Sequence, residues 1–276
     1  MTEPPIRRAV WTAAPVVGLL LAAGTSAAQD ADTRLRIDLN IPTLRLEVFE
    51  GHHLLKSYPV AVGQLGHDTP TGTFRISRAE WNPSWRPPQR EWTRGKSYTP
   101  PGPDNPMGRV KMFFSPLYYI HGTPDEESLG TPASHGCVRM LNDDAVELAT
   151  LLHEEASPTI PAEQIDRILA QARTTRVSRL QDSVTLVIRY EPVVVEDEVL
   201  AVYPDIYRRG IPSEAVYQAL LARGYDVSAV TPQEVRALLE RARGATRVVR
   251  VPLRDAFASL PRAGGAATGE REATSR

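Results

Sequence analysis

Residues 35–48 read Leu-Arg-Ile-Asp-Leu-Asn-Ile-Pro-Thr-Leu-Arg-Leu-Glu-Val, and this stretch indicates the fold class. Apolar and polar residues alternate on both sides of a break at Asn40–Pro42, which is the pattern of two half-buried strands. Further short strands are predicted over 58–62 and 74–76, with a turn at Thr69–Gly72 between them. Closely spaced strands of this kind predict a mainly β protein, an antiparallel or mixed β-sandwich or barrel with a few helices, rather than a βαβ sheet.

The charge balance of the chain excludes some classes of partner. Its 276 residues include 32 Lys+Arg and 33 Asp+Glu, so no cationic surplus exists to attract nucleic acid or anionic lipid. Charged residues make up 24% and hydrophobic residues 42%, which is ordinary for a soluble globular protein.

The first thirty residues have the features of an export signal. The basic pair Arg7–Arg8 precedes an uncharged apolar run, Ala9–Ala23, and Ser26–Ala28 supplies small residues for a signal peptidase. We therefore expect residues 1–28 to be a cleaved signal peptide. The run is shorter than the roughly 20 apolar residues of a membrane span, and an uncleaved N-terminal anchor is the alternative.

The remaining chain is predicted to divide into a catalytic domain over 33–200, a small α-rich appendage over 204–262 and a disordered tail over 263–276. In the first, we expect Asn142 to cap a helix and a second helix to start at Pro161. In the appendage, helices are predicted over 213–223 and 232–243, the latter capped by Thr231.

A proline-rich segment, Trp81–Pro106, interrupts the strands. It contains three tryptophans, among them Trp85, and its prolines rule out a regular element. A loop of this length inside a compact domain is usually functional or disordered. We expect it either to cover a substrate cleft and exclude water, with Trp85 as a candidate substrate contact, or to be an ordinary surface loop held down by its tryptophans.

The only cysteine, Cys137, lies in Ser134-His135-Gly136-Cys137-Val138-Arg139. A thiol attacks as the thiolate, so it needs a base or a positive environment that lowers its pKa. His121, at the end of a predicted strand, and His135 are both candidates, and the residues alone leave open which of them is the base.

The residues around the cysteine suggest further roles. Backbone amides at Gly136 could form an oxyanion hole, Arg139 could clamp a substrate carboxylate, and Ser134 could bond within the loop or position His135. A zinc site from the two histidines and the cysteine lacks a fourth ligand, so no metal or cofactor is expected.

The two blocks His121-Gly122-Thr123 and Ser134-His135-Gly136-Cys137-Val138-Arg139 resemble the signature of the L,D-transpeptidase (YkuD) family. Other landmarks of the resemblance are Val60–Gly63, Thr69–Phe74, Asn82–Pro83 with Trp85, and Pro101–Pro106, which together cover about residues 34–155. The stretch over 184–207 is similar to that following the catalytic domain in the Gram-negative branch, whose members are periplasmic.

The resemblance implies a β-rich, metal-free catalytic fold and a set of residue roles. Cys137 would be the nucleophile, and His121 the base, oriented by the carbonyl of Gly122. His135 and the amides of Gly136 and Cys137 would line the oxyanion region, while Arg139 and Ser134 would contact substrate.

The resemblance also implies the reaction. The family attacks the third, diamino acid residue of a peptidoglycan tetrapeptide stem, releases D-Ala and passes the acyl group to an amine of a second stem or of an outer-membrane lipoprotein. Water as acceptor would make the protein a carboxypeptidase, and a peptidoglycan-binding protein without catalysis is the remaining alternative.

Overall fold

A computed structural model describes residues 34–156 and 160–263. Within these ranges the strands are β1 (Leu35–Asn40), β2 (Arg45–Glu50), β3 (His53–Pro59), β4 (Val62–Gly63), β5 (Gly72–Trp81), β6 (Val110–Ser115), β7 (Tyr118–Thr123), β8 (Pro132–Ser134), β9 (Val138–Leu141), β10 (Arg176–Arg189), β11 (Val193–Glu196), β12 (Val199–Val202) and β13 (Val249–Pro252). The α-helices are α1 (Asn142–Glu155), α2 (Ile165–Ala170), α3 (Ser213–Leu221), α4 (Pro232–Ala242) and α5 (Leu253–Ala256). The predicted mainly β class is confirmed.

Eight of these strands form one mixed sheet in the order β3-β2-β1-β10-β5-β6-β7-β9, which is curved and nearly closed like a barrel. Its neighbours are antiparallel except for two parallel pairs, β1 with β10 and β7 with β9. The alternation seen over 35–48 puts Ile37, Leu39, Leu46 and Val48 at 0% exposure. The alternation in the sequence therefore correctly predicted these strands, because one face of each is buried in the core.

The two faces of the β6-β7-β9 region differ in chemistry. Met112, Ile120 and Met140 are fully buried in the core, which also includes Leu148 of helix α1. Residues one position along each strand point to the opposite face, since side chains alternate along a strand. The core thus fixes the strands from one side and leaves the other side for polar and aromatic groups.

The start of helix α1 differs from the sequence-based prediction. The helix begins at Asn142, its N-cap residue is Leu141, and no side chain caps it. Asn142 therefore does not cap the helix, and its amide forms long-range contacts described with the site below.

The other predicted helices are present with shifted bounds. A 3-10 turn over Ala162–Gln164 precedes α2, so that helix starts later than predicted. In α4 the predicted cap is confirmed, because the Thr231 hydroxyl accepts from the amide of Glu234 and the Glu234 carboxylate accepts from the amide of Thr231.

A second hydrophobic cluster lies in the C-terminal part of the chain. Strands β11, β12 and β13 form their own antiparallel sheet, and helices α3, α4 and α5 supply the rest of the cluster. Val193, Val195, Leu200 and Val202 belong to this second cluster, although the sequence placed residues up to 200 in the catalytic domain. The sequence pattern does not indicate this division, because apolar strands such as 193–195 carry no mark of the sheet they join.

The segment after β5 is irregular, as its prolines predicted. Between Asn82 and Arg109 the structure has a short 3-10 turn, Glu91–Thr93, and an isolated bridge between Trp85 and Thr99. The expectations for residues 1–28 and for 264–276 concern residues outside the described ranges. In the part of the chain that the structure describes, no helix is long and apolar enough to span a membrane.

Asn82 joins the start of this segment to the end of α2. Its side-chain amide donates to the carbonyls of Ile168 at 2.6 Å and Gln171 at 3.2 Å, which lie at the C-terminal end of the helix. Its φ of 45° falls in the left-handed region, where asparagine and glycine are tolerated and alanine is strained.

We expect Asn82→Ala to lower the free energy of unfolding by about 3 kcal/mol, the sum of lost bonds to buried carbonyls and of backbone strain. Asn82→Gly removes the same amide without the strain and should be less destabilising, by about 1 kcal/mol. Urea denaturation of the two variants measures the difference. Equal losses would contradict the role of the backbone conformation.

Candidate active site

The two halves of the motif are brought together by a parallel strand pair. In the β7–β9 register, Ile120 lies opposite Val138 and His121 lies opposite Arg139. Cys137 directly precedes Val138, the first residue of β9, and therefore lies beside Tyr119, which directly precedes Ile120. His121, Tyr119, Cys137 and Arg139 all face away from the core, since Ile120 and Val138 between them are fully buried.

His121 is buried and has a fixed orientation. Its ring Nδ1 lies 2.7 Å from the carbonyl oxygen of Gly122. A carbonyl only accepts, so Nδ1 carries the proton and Nε2 carries the lone pair. Burial, together with the positive charges of Arg139 and Lys111, lowers the pKa of His121 to about 4, although the hydrogen bond to the Gly122 carbonyl acts in the opposite direction. The ring is therefore a neutral imidazole at neutral pH, which is the form that accepts a proton.

Cys137 is half-buried, and its Sγ lies 3.8 Å from the carbonyl oxygen of Leu117. Burial raises the pKa of the thiol to about 11, against the opposing effects of the Tyr119 backbone N–H and the charges of Arg139 and Lys111. The sequence led us to expect an environment that lowers this pKa. The resting site instead holds a neutral thiol and a neutral imidazole, because desolvation outweighs the nearby positive charge.

The loop over 134–136 is held by bonds within itself. The Ser134 hydroxyl donates to the carbonyl of Cys137 and accepts from the amide of Gly136 at 3.0 Å. Ser134 is 2% exposed and its hydroxyl is engaged within the loop, and a substrate contact by this residue stays a prediction. The Gly136 amide, expected as an oxyanion donor, is already occupied by Ser134.

Gly136 is required by the shape of this loop. Its φ is 109°, and a Cβ there would lie 2.6 Å from Cε1 of Tyr118. Both the backbone conformation and the close ring therefore exclude a side chain beside Cys137.

His135 lies under the proline-rich segment. The ring of Trp92 stacks on it with centroids 4.0 Å apart and an interplanar angle of 15°, and His67 packs against it at 4.5 Å. Burial lowers the pKa of His135, and His67 and Lys96 lower it further. The segment therefore packs over part of the motif, and its role as the cover of a substrate cleft stays a prediction.

The tryptophan that contacts the motif is Trp92, whereas the sequence singled out Trp85. The Trp85 backbone pairs with Thr99 through two bonds of 2.9 Å, and its ring lies 5.8 Å from the Lys96 ammonium. Lys96 also lies 5.4 Å from the centroid of the Trp92 ring. Trp85 thus shapes the segment, and it remains only a proposal that it touches substrate.

Arg139 is ion-paired in the resting site. Its Nη1 lies 3.1 Å from Oδ2 of Asp125, and its backbone pairs in both directions with Ala61. The Asp125 side chain is 58% exposed, compared with 23% for Arg139. Among the described residues no group of three His, Cys, Asp or Glu side chains is arranged to hold a metal ion.

The sequence matches the family described as "YkuD: L,D-transpeptidase catalytic domain" over residues 34–178, more than half of the chain. The chain belongs to this L,D-transpeptidase family.

Named relatives agree with this assignment. The chain is 35% identical over 117 residues to "Probable L,D-transpeptidase YbiS" of Escherichia coli K12, covering 39% of this chain and 38% of that protein. It is 35% identical over 120 residues to "Probable L,D-transpeptidase ErfK/SrfK" of the same strain, covering 40% and 39%. The aligned part thus spans less than two-fifths of these relatives.

Solved structures of L,D-transpeptidases also match this family member. The enzyme from Mycobacterium smegmatis is 18% identical with a TM-score of 0.35, covering 56% of this chain and 58% of that one. The catalytic domain from E. faecium is 12% identical with a TM-score of 0.38, covering 56% and 97%. At these scores the structural matches add no argument to the sequence match.

In this L,D-transpeptidase family member, two residues that the sequence analysis did not single out for the site support the cysteine loop. The Thr69 hydroxyl donates to the Gly136 carbonyl at 2.9 Å and accepts from the Gly63 amide at 2.9 Å. The Thr69 amide donates to the hydroxyl of Tyr207 at 3.0 Å. Thr69 and Tyr207 are both buried, so the loop beside Cys137 is anchored through Thr69 to a residue 138 positions later.

The contacts of Asn142 support His121 in the same way. The Asn142 side chain accepts from the Arg109 amide at 3.0 Å and donates to the Thr123 carbonyl at 3.2 Å. A Cβ on Gly122 would lie 2.3 Å from Asn142 Oδ1, so Gly122 has to be glycine for this approach. Asn142 therefore helps to fix the backbone whose carbonyl orients His121. The sequence analysis predicted a helix cap at this position instead.

The neutral resting thiol leads to a prediction for its reactivity. Because Cys137 is the only cysteine, alkylation by iodoacetamide reports on this site alone. We expect the alkylation rate to rise with pH about a midpoint near 11, above the value of about 8.5 for an ordinary thiol. N-acetylcysteine measured in parallel is the reference, and a midpoint below that of the reference would contradict the prediction.

The anchor through Thr69 leads to a second prediction. Tyr207→Phe removes the acceptor of the buried Thr69 amide, at a cost of about 1–3 kcal/mol in the free energy of unfolding. Hydrogen–deuterium exchange over 64–72 and 130–140 should rise by about tenfold or more, because about 1.4 kcal/mol of lost local protection is a factor of ten. Tyr225→Phe, at a buried tyrosine of the second cluster, is the matched control. Unchanged exchange in both segments would rule out the anchor.

Proposed function

We propose that the protein is a periplasmic, peptidoglycan-directed L,D-transpeptidase with Cys137 as nucleophile and His121 as base. The observation that carries this proposal is the 2.7 Å contact from His121 Nδ1 to the Gly122 carbonyl. It leaves the Nε2 lone pair free, on the strand that pairs directly with the segment holding Cys137. The family match over 34–178 supports the same reaction class.

The first half of the reaction starts from the neutral thiol of Cys137 and the neutral imidazole of His121. The thiol of Cys137 attacks the carbonyl of the diamino acid residue of a tetrapeptide stem, and its proton passes to Nε2 of His121. The carbon–nitrogen bond to D-Ala then breaks, and His121 returns the proton to the leaving amine. A thioester on Cys137 remains, which keeps the acyl group activated.

In the second half of the reaction, an acceptor amine is the nucleophile and Cys137 is the leaving group. An acceptor amine attacks the thioester carbonyl and gives its proton to His121, and the carbon–sulfur bond breaks to restore the thiol. The acceptor is an amine of a second stem or a lysine of an outer-membrane lipoprotein. Water at this step would give a carboxypeptidase, and the cover of Trp92 over His135 favours transfer because it limits the access of water.

The oxyanion and the substrate carboxylate need separate donors. Since Ser134 occupies the Gly136 amide, we assign the oxyanion to the amide of Cys137, with His135 at the edge of the region. Arg139 is the candidate for the substrate carboxylate, which would displace the exposed Asp125 from its guanidinium.

The decisive experiment incubates the purified protein with disaccharide-tetrapeptide and follows the products by mass spectrometry. We expect loss of D-Ala and formation of a linked dimer, with a lipoprotein peptide added as acceptor where no dimer forms. Cys137→Ala and His121→Ala should each lower the rate by about 10³ or more, since removing one member of a coupled catalytic pair abolishes most of its effect.

The products separate the proposal from its competitors. Tripeptide without dimer or lipoprotein adduct would assign a carboxypeptidase. Binding of the stem without any loss of D-Ala would assign a non-catalytic peptidoglycan-binding protein, the second candidate, which the raised pKa of the resting thiol favours. Arg236→Gln on α4, far in sequence from the motif, is the control for general effects of substitution.

A further inference from the structure

A buried ion pair lies on the same face of the sheet as the proposed active site. The ammonium of Lys111, in β6, lies 3.2 Å from the carboxylate of Glu80, in β5. The two side chains are only 11% and 16% exposed. Neither residue belongs to the two motif blocks, and neither takes part in the steps of the proposed reaction.

Strand pairing puts this ion pair in one row with His121. Glu80 lies opposite Lys111, and Lys111 lies opposite His121. Arg139 completes the row on the other side of His121. Because neighbouring strands are about 4.8 Å apart, Lys111 is the direct neighbour of His121 and Glu80 lies one strand farther away. The ion pair therefore presents its positive end to His121.

The Lys111 ammonium also approaches the row that contains Cys137. Its Nζ lies 5.0 Å from the centroid of the Phe113 ring and 5.2 Å from that of the Tyr119 ring. These two rings belong to opposed residues of β6 and β7, and Cys137 lies beside Tyr119. Aromatic rings stabilise a cation that has lost part of its water. The ammonium thus lies between the row of His121 and the row of Cys137.

The charge of Lys111 is supported by Glu80. Burial lowers the pKa of Lys111, and the carboxylate of Glu80 acts in the opposite direction. A carboxylate within hydrogen-bond distance favours the ammonium form of a lysine. Glu80 therefore holds the proton on Lys111 inside the sheet.

Lys111 differs from Arg139, the other cation beside His121, in its exposure to solvent. The partner of Arg139 is Asp125, whose side chain is 58% exposed, and in the proposed reaction a substrate carboxylate takes its place. The Lys111–Glu80 pair is shielded from solvent, so dissolved salt screens it less. Its partner is also the same in every step. Lys111 is therefore a fixed charge throughout the reaction.

The ionisable groups around His121 and Cys137 come from every neighbouring element on this face. They are Glu80 and Arg78 on β5, Lys111 on β6, Tyr119 on β7, Arg139 on β9, and Asp125 and His135 in the crossover. Helix α1 packs from the core side, and its Asn142 is neutral. The positive charges that lower the pKa of both His121 and Cys137 are those of Lys111 and Arg139.

We infer that Lys111 is a positioning residue of the active site, whose fixed charge assists the two steps in which a bond to the substrate carbonyl breaks. This inference rests on the proposed function, which supplies those steps. Lys111 acts through His121 and Cys137 and touches no substrate atom in this role.

The two steps use the charge in different ways. In the first half, the imidazolium of His121 gives its proton to the D-Ala nitrogen, and a cation beside it makes it the stronger acid. In the second half, Cys137 leaves as sulfur, and the same cation stabilises the thiolate. When the thiol passes its proton to the imidazole, the gain at sulfur offsets the cost at the ring. The net effect of Lys111 therefore falls on bond breaking.

The test compares Lys111→Met with the unsubstituted protein by two measurements that need no turnover. In an NMR titration, with the His121 signal assigned by its absence in His121→Gln, the pKa of His121 should rise from about 4 by about one unit, because a neighbouring cation is gone. Alkylation of Cys137 by iodoacetamide, a neutral reagent, should slow by about threefold to tenfold near neutral pH, because less thiolate is present.

The alkylation rate separates the charge of Lys111 from its packing. If the side chain only filled space, its removal would admit water to Cys137, and the pKa of the thiol would fall toward the ordinary value of about 8.5. Alkylation would then become faster. Slower alkylation therefore reports the loss of the charge, and a faster or unchanged rate would overturn the inference.

Matched variants guard the interpretation. Lys111→Arg keeps the charge and should restore both the pKa of His121 and the alkylation rate. The double variant Glu80→Gln with Lys111→Met leaves no unpaired buried charge, and its effects should have the same sign and be smaller. If Lys111→Met does not fold, a double variant that behaves like the unsubstituted protein would still overturn the inference. Lys56→Met removes a lysine from the exposed pair with Glu147 and should change neither measurement.

Turnover separates this inference from the proposed function. With release of D-Ala from disaccharide-tetrapeptide as the readout, kcat/KM in Lys111→Met should fall by about threefold to tenfold at neutral pH and recover in Lys111→Arg. An unchanged kcat/KM would overturn the role of Lys111 and leave the proposed function intact. Shifted pKa values without any release of D-Ala by the unsubstituted protein would refute the proposed reaction and support the electrostatic role of Lys111 at the site.

Discussion

The parallel pairing of β7 with β9 is the constraint on which the site depends. It puts His121 opposite Arg139 and Cys137 beside Tyr119, although the two members of each pair are eighteen positions apart along the chain. Parallel neighbours require a crossover, and here residues 124–137 provide one that also carries Asp125, Ser134 and His135. Ile120 and Val138, both fully buried, hold the register, because a slip of one residue would turn the side chains of His121 and Cys137 into the core.

Burial then determines the chemistry of the site. His121 and Cys137 are each pushed toward their neutral forms, by loss of solvent for the imidazolium and for the thiolate. The positive charges of Arg139 and Lys111 act on both groups, lowering the pKa of the imidazole and of the thiol alike. An ion pair is therefore not the resting state, and in the proposed reaction charge separation is left to the step in which the thiol attacks a substrate carbonyl.

Much of the fold and the centre of the site could be predicted from the sequence, because they depend on local pattern. Strict alternation indicated the strands, and the short motif indicated that Cys137, His121 and Gly122 lie together. The supporting residues could not be predicted, since their partners are distant. Thr69 and Tyr207 are 138 residues apart, and asparagine at a helix start is as compatible with a cap as with the bonds that Asn142 makes to Arg109 and Thr123. In the irregular segment after β5, no periodicity distinguishes Trp92, which stacks on His135, from Trp85.

The loop beside Cys137 is supported by a segment that follows the second sheet in the chain. Residues 203–209 follow strand β12 and precede helix α3. Tyr207 of this segment packs into the hydrophobic core of the eight-stranded sheet. The Tyr190 ring stacks on Tyr207 at 5.4 Å, the Tyr190 hydroxyl bonds to Asp205, and Arg209 pairs with Asp68 at 3.3 Å, next to Thr69. A flexible loop could not hold Gly136 at a φ of 109° against Tyr118 without such support, because left-handed backbone conformations persist only where surrounding contacts determine them. The geometry beside Cys137 therefore depends on chain well beyond the motif that identifies it.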